Sequence, residues 1–192
     1  MSDVPVCVLD ISVLLYTPEA LYDFPDKEVV LPVCILEELD CIKMDLGEKG
    51  RSAQIITRML DECRQLGSLS EGVCLPNGGK LRIELSEPNS GSLPYSPDFK
   101  HISNKVLAVA WTLYQKSREV VFVSQDENLR TKADILNVPT ICYQGNRLDD
   151  SILYSGIHRY EVDKQKLRRL AKQVSISKEE VFSEQQQREE IN

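Results

Sequence analysis

Val120-Val121-Phe122-Val123-Ser124-Gln125-Asp126 is an apolar run that closes on an acid, and Val6-Cys7-Val8-Leu9-Asp10 does the same near the start of the chain. Both read as buried strands, and each precedes a segment with helical spacing. In an open parallel α/β sheet, ligands bind outside the carboxyl ends of the strands. Asp10 and Asp126 are therefore expected in one crevice. A third acid comes from between them, where Glu28-Val29-Val30-Leu31-Pro32 runs into a helix carrying Glu37 and Glu38. Converging carboxylates are the donor set of a hard divalent cation such as Mg²⁺ or Mn²⁺. The competing reading is local: an Asp where a helix begins caps exposed N–H groups. One such residue would mean little, but two with a helical Glu point to a site.

Strands alternating with helices extend in both directions from these runs. Pro18 to Tyr22 reads as a short helix, 28–32 as a second strand, and Pro32 as the opening of a helix with Ile35, Leu36 and Leu39 inward. Gly47 and Gly50 interrupt the pattern, and a longer helix is expected from Arg51 to about Leu66. Residues 72–85 read as a β-hairpin turning at Asn77-Gly78, because Asn-Gly supplies the positive φ angles of a tight turn. Leu81, Ile83 and Leu85 alternate with Lys80, Arg82 and Glu84, which gives the second arm one buried face. A polar loop (86–100) leads to a helix from Ile102 to about Lys116, and a last strand is expected near 139–143. The pattern predicts a three-layer α/β/α sandwich around a mainly parallel sheet of about five strands, the hairpin projecting as an insertion. The domain is expected to span 1–145. Residues 146–192 read as an extension or linker, with an edge strand near 159–162, a basic helix at 164–173 and a polar tail.

Bulk properties permit this and do not select it. The 192 residues, 42% hydrophobic and 28% charged, suit one soluble domain with an appendage. No apolar run is long enough to cross a membrane, and no basic-then-apolar leader opens the chain. The six cysteines form no Cys-x-x-Cys pair and sit mostly in apolar runs. Reduced thiols, a cytoplasmic location and no zinc site are therefore expected. A net charge of −7 argues against holding duplex nucleic acid by electrostatics alone. It leaves a metal-assisted nuclease open.

Three stretches carry a resemblance. Leu9-Asp10-Ile11-Ser12-Val13-Leu14-Leu15 is similar to the opening motif of PIN-domain nucleases, Val33 to Lys43 to their second motif, and Val121 to Ala133 to the closing V-T-x-D-x-N-L-R-x-K-A stretch. Gly50-Arg51-Ser52-Ala53, the Gly67–Gly79 segment and Tyr154-Ser155-Gly156 extend the likeness toward the N-terminal PIN domain of PhoH-like proteins. The resemblance implies a metal-dependent endoribonuclease in which Asp10, Glu38 and Asp126 surround Mg²⁺ or Mn²⁺ and Glu37 points elsewhere. It implies hydrolysis of single-stranded RNA to a 5′-phosphate and a 3′-hydroxyl. Ser12 and Ser124 match polar positions beside the aspartates, where a hydroxyl holds a carboxylate or else caps a strand end. Arg51, Arg130 and Lys105 are the candidate phosphate contacts, and Arg130 is expected to share the helix face of Asp126. Aromatic residues look too sparse nearby to form a stacking platform for bases.

One departure bears on activity. The family's third motif sets an Asp before Asn-Arg-Ile-Leu, and Ser103 stands there in Ser103-Asn104-Lys105-Val106-Leu107. Losing that carboxylate weakens a second cation most, unless Asp98 swings in from the preceding loop. An enzyme is therefore weighed against a degenerate, non-catalytic PIN domain that binds RNA or protein. A haloacid-dehalogenase-like phosphatase would need an Asp where Ser12 stands, and neither a Walker-type loop nor a dinucleotide-binding glycine fingerprint occurs. Expected partners are single-stranded RNA and a PhoH-type ATPase domain in cis or in trans. A homo-oligomer is left open, and no membrane is expected.

Overall fold

A computed structural model of the chain describes residues 4–86, 93–95, 97–117 and 119–145. The expected edge strand, basic helix and polar tail lie outside the described residues. Among the described residues six strands form one sheet: β1 (Val6–Leu9), β2 (Glu28–Pro32), β3 (Val73–Cys74), β4 (Lys80–Glu84), β5 (Val120–Val123) and β6 (Thr140–Ile141). Their spatial order is β3-β4-β2-β1-β5-β6, and only the β3–β4 pairing is antiparallel. The central strands are near-continuous apolar runs because both faces are covered. Cys7, Val8 and Leu9 of β1 are wholly buried, and every residue of β5 is buried. Helices α1 (Ile11–Tyr16), α2 (Cys34–Ile42), α3 (Glu48–Leu66), α4 (Ile102–Ser117) and α5 (Glu127–Ile135) flank the sheet, with a 3-10 helix at Pro18–Tyr22. α1 packs against α3 and the 3-10 helix, whereas α4 packs on α5, β5 and β1.

The hairpin differs from expectation. It does not project: β4 pairs in parallel with β2 along its whole length, Glu28↔Lys80 to Pro32↔Glu84, and so extends the sheet. Leu81 and Ile83 are buried while Lys80, Arg82 and Glu84 are half-buried, as the alternation foretells, but Leu85, expected on the same buried face, lies beyond the end of β4 and is exposed. Arg82 bridges Glu28 of β2 (2.8 Å) and Glu84 (2.6 Å), which ties the two strands on their polar face. At the turn only Gly78 takes a positive φ, +86°. Asn77 instead donates its amide N–H to the Tyr22 carbonyl at 2.7 Å and accepts from Gly79 N, pinning the turn to the 3-10 helix.

Two helix starts also shift. Pro32 ends β2 rather than opening a helix; a residue without an N–H is tolerated at a strand end. α2 begins two residues later. Gly50 lies inside α3, which starts at Glu48, because a close approach rather than a turn requires it. A Cβ there would stand 1.9 Å from the Asp45 carbonyl oxygen. All six cysteines are free; Cys7, Cys34 and Cys63 are buried, whereas Cys41 and Cys74 reach the surface, so fewer are interior than the apolar runs suggest. No helix among the described residues is long and apolar enough to cross a membrane.

Gly50 sets helix propensity against packing. Propensity alone favours Ala by about 1 kcal/mol, but the clash is with backbone and cannot be relieved by a rotamer change. Gly50→Ala is expected to lose about 2 kcal/mol, of the order seen for overpacking, and to lower the urea midpoint. An unchanged or raised midpoint would contradict the packing account.

Candidate metal centre at the carboxyl ends of β1 and β5

β1 and β5 are paired in register, Leu9 opposite Val123, so the residues that follow them meet. Asp10 N donates to the Val123 carbonyl at 2.9 Å, and Ser124 Oγ donates to Asp10 Oδ2 at 3.1 Å. Ser12 Oγ donates to the same Asp10 oxygen at 2.5 Å, and Ser12 N adds a capping contact at 3.3 Å as α1 begins. Both sequence readings therefore hold for Oδ2: Asp10 caps its helix, and the two serines hold its carboxylate. Neither accounts for Oδ1. That oxygen is buried with no hydrogen-bond partner, in a side chain that is itself 1% exposed.

A buried anionic oxygen left unpaired is costly. Burial pushes the Asp10 carboxyl above its ordinary range, and the bonds from Ser12 and Ser124 pull only partly the other way. Removal from water is the largest factor. Nearby, the serine hydroxyls also accept, from Gln125 N (to Ser12, 3.1 Å) and Asp126 N (to Ser124, 3.0 Å). The chain between Ser124 and Asp126 is thus laced to the end of β1.

The other expected residues fall into distinct settings. Asp126 is exposed and caps α5, its Oδ1 accepting from Leu129 N at 3.1 Å. Glu38 is half-buried in the second turn of α2, whose start adjoins the carboxyl end of β2, while Glu37 is exposed. Among the described residues no group of three or more His, Cys, Asp and Glu side chains is gathered closely enough to hold an ion. Arg130 does not simply project toward substrate: its Nη1 donates to the Ser124 carbonyl at 2.9 Å, bracing the strand end that presents Ser124. Arg51 is exposed near the start of α3, and Lys105 is half-buried on α4. Ser103 is half-buried in the first turn of α4. Asp98 is committed to its own turn, with Oδ1 accepting from Lys100 N at 3.0 Å and its carbonyl from Asn104 Nδ2 at 2.8 Å.

Sequence reasoning missed three residues. Asn104 is buried beside Ser103 and accepts from Lys132 Nζ at 3.0 Å, so Lys132 rather than Lys105 is the cation tied to this helix start. Gln125 donates its side-chain N–H to the Tyr143 carbonyl, and Tyr143, buried, donates its hydroxyl to Asp23. Asn104 and Gln125 both stand inside the quoted motifs, which was their one available signal. Tyr143 had none.

A family model described as PIN domain matches residues 7–144. Protein PhoH2 of Bacillus subtilis is 37% identical over 158 residues, covering 79% of this chain and 36% of that protein. Protein PhoH2 of Thermobispora bispora is 32% identical over 164 residues, 85% of this chain and 37% of that one. The chain spans about a third of the length of these relatives. A PilT N-terminus domain protein from Sulfolobus solfataricus covers 81% of this chain and 99% of its own, at 17% identity and a TM-score of 0.40, too loose a likeness to carry weight.

The raised Asp10 carboxyl fixes the sign of a pH effect in metal-free protein. A group whose folded pKa lies above its unfolded value, about 3.9 for Asp, favours folding below the unfolded value. That contribution is lost as pH rises through the folded one. Asp10→Asn removes the buried charge and is expected to raise the unfolding free energy measured in urea at pH 7 in chelator by about 1 kcal/mol. The gain should shrink as pH falls toward 4. A variant less stable than the parent at pH 7 would contradict the burial account.

Proposed function

The chain belongs to the PIN-domain family, and we propose that it is a metal-dependent endoribonuclease acting on single-stranded RNA. The observation that carries this reading is Asp10 Oδ1, a buried carboxylate oxygen with no partner in the protein. Structural carboxylates are satisfied on both oxygens, whereas a ligand-binding one keeps an oxygen back. The donor chemistry fits Mg²⁺ or Mn²⁺, which take oxygen ligands; Mg²⁺ in particular needs only one or two protein carboxylates and keeps several waters. Asp10 would be the fixed ligand, and Asp126 and Glu38, which do not close into one cluster with it in this structure, would approach to complete the set when an ion binds. When bound, the ion supplies Lewis acidity at the phosphodiester.

The chain's own groups do the rest. Ser12 and Ser124 hold Oδ2 and leave Oδ1 unpaired, and Arg130 braces the Ser124 carbonyl. Arg51, Lys105 and Lys132 are the cations available for RNA phosphates, each as a point charge or fork toward non-bridging oxygens. Water adds across the P–O3′ bond, leaving a 5′-phosphate and a 3′-hydroxyl. Ser103 in place of an acid restricts the centre to one tightly held ion. That same serine favours the second reading, a non-catalytic PIN domain that binds RNA or protein. The matched stretch is only about a third of each relative's length, and a PhoH-type ATPase domain in cis or in trans is the proposed partner, reached through residues 146–192.

The two readings diverge at Ser103. Ser103→Asp adds an oxygen ligand at a helix start, where negative charge is favourable, so the fold should tolerate it. The expected outcome is tighter Mn²⁺ binding by calorimetry and cleavage of single-stranded RNA at least tenfold faster than the parent. Asp10→Asn in either background should abolish cleavage. No cleavage by the folded parent chain with Mn²⁺, and none restored by Ser103→Asp, would leave the non-catalytic reading in its place.

A further inference from the structure

Tyr16 is an exception to how this domain uses its aromatic residues. The other apolar residues of α1 pack inward, with Ile11, Val13 and Leu14 buried, yet the Tyr16 ring is 64% exposed. It is exposed without being loose. Tyr143 meets it edge-on, with ring centroids 6.3 Å apart and planes at 80°. Tyr143 is itself locked, its hydroxyl donating to Asp23 and its carbonyl accepting from Gln125 Nε2. Gln125 N in turn donates to Ser12 Oγ, which donates to Asp10. An unbroken line of contacts therefore fixes the exposed ring relative to the carboxylate proposed to hold the ion.

The distance and the electrostatics narrow what the ring receives. Tyr16 lies six residues beyond Asp10 on the same short helix, about 9 Å along its axis, the reach of a nucleotide or two. The groups around Tyr143 are acidic: Asp23 takes its hydroxyl, and Glu19 adds negative charge. Burial, followed by these acids, raises the Tyr143 phenol, which keeps it protonated as a donor. A phosphate would be repelled there, but a neutral ring is not. Flat aromatic faces in single-strand-binding proteins receive bases by stacking, independent of sequence because every base has a π-face.

We propose that the exposed face of Tyr16 is a base-stacking subsite for the nucleotide one or two positions from the scissile phosphate of single-stranded RNA. The inference rests on the ribonuclease reading and deepens it: Tyr16 is a substrate-binding residue, and Tyr143, Gln125 and Asp23 are the positioning residues behind it. It also revises the impression of a surface too poor in aromatics to stack a base.

The test uses the full 192-residue chain with Mn²⁺ and a fluorescent single-stranded RNA, comparing Tyr16→Ala, Tyr16→Phe and Tyr16→Trp with the parent. Tyr16→Ala should raise KM about tenfold, the scale of losing one stacked base, while kcat stays within about twofold. Tyr16→Phe should keep the parent KM, because it loses only the hydroxyl, and Tyr16→Trp should keep or lower it, because the larger indole still offers a flat stacking face. Placing an abasic nucleotide along the RNA separates stacking from a packing effect. At one position the abasic RNA should show the same rise in KM, and Tyr16→Ala should then cost nothing more. A Tyr16→Ala variant with the parent KM, or one whose loss persists undiminished on every abasic RNA, overturns the subsite and leaves the ribonuclease reading intact. If the parent neither binds nor cleaves the RNA, both fall.

Discussion

The fold converges on one carboxylate. Asp10 ends the central strand of a parallel sheet, begins the helix that follows, and is removed from water on all sides. Two hydroxyls and a backbone N–H converge on Oδ2, while Oδ1 has no hydrogen-bond partner. Such an arrangement costs stability in the absence of a ligand. The neighbouring elements are organised to maintain it: β5 supplies Ser124, Arg130 of α5 holds the Ser124 carbonyl, and Gln125 anchors the stretch between Ser124 and Asp126 to Ser12 and Tyr143. Local stability is traded for a directed oxygen, as at functional sites generally.

Much of this was legible in the chain. Apolar runs ending in Asp placed two acids at the same end of the sheet, because parallel strands share their polarity and register does the rest. The hairpin shows where local reading stops. The alternation in 80–84 correctly named the buried face, but which strand β4 pairs with is a long-range choice that no period in the sequence encodes. The same holds for Gly50, read as a breaker. Its absent side chain is explained only when the Asp45 carbonyl is seen against it.

Side-chain commitments were the least readable level. Arg130 was placed on the correct face of α5 by helical spacing, yet its partner is a backbone carbonyl, and that makes it a brace as well as a cation. Asp98 looked free to replace the acid missing at Ser103 but is used by its own turn. Conversely Lys132, an unremarked member of a quoted motif, is held at the start of α4 by the buried Asn104. A sequence names the groups that could do chemistry; hydrogen bonds decide which of them are already occupied.

The account's central claim is that Asp10 Oδ1 is kept unpaired for a divalent cation. Crystals of the chain soaked in Mn²⁺ and measured at the manganese absorption edge would test it directly. The account predicts an anomalous peak about 2 Å from Asp10 Oδ1, the contact distance of a hard cation on carboxylate oxygen, with Asp126 or Glu38 on its far side. A map with no such peak, in which Oδ1 instead accepts a hydrogen bond from a protein group or an ordered water, would contradict it.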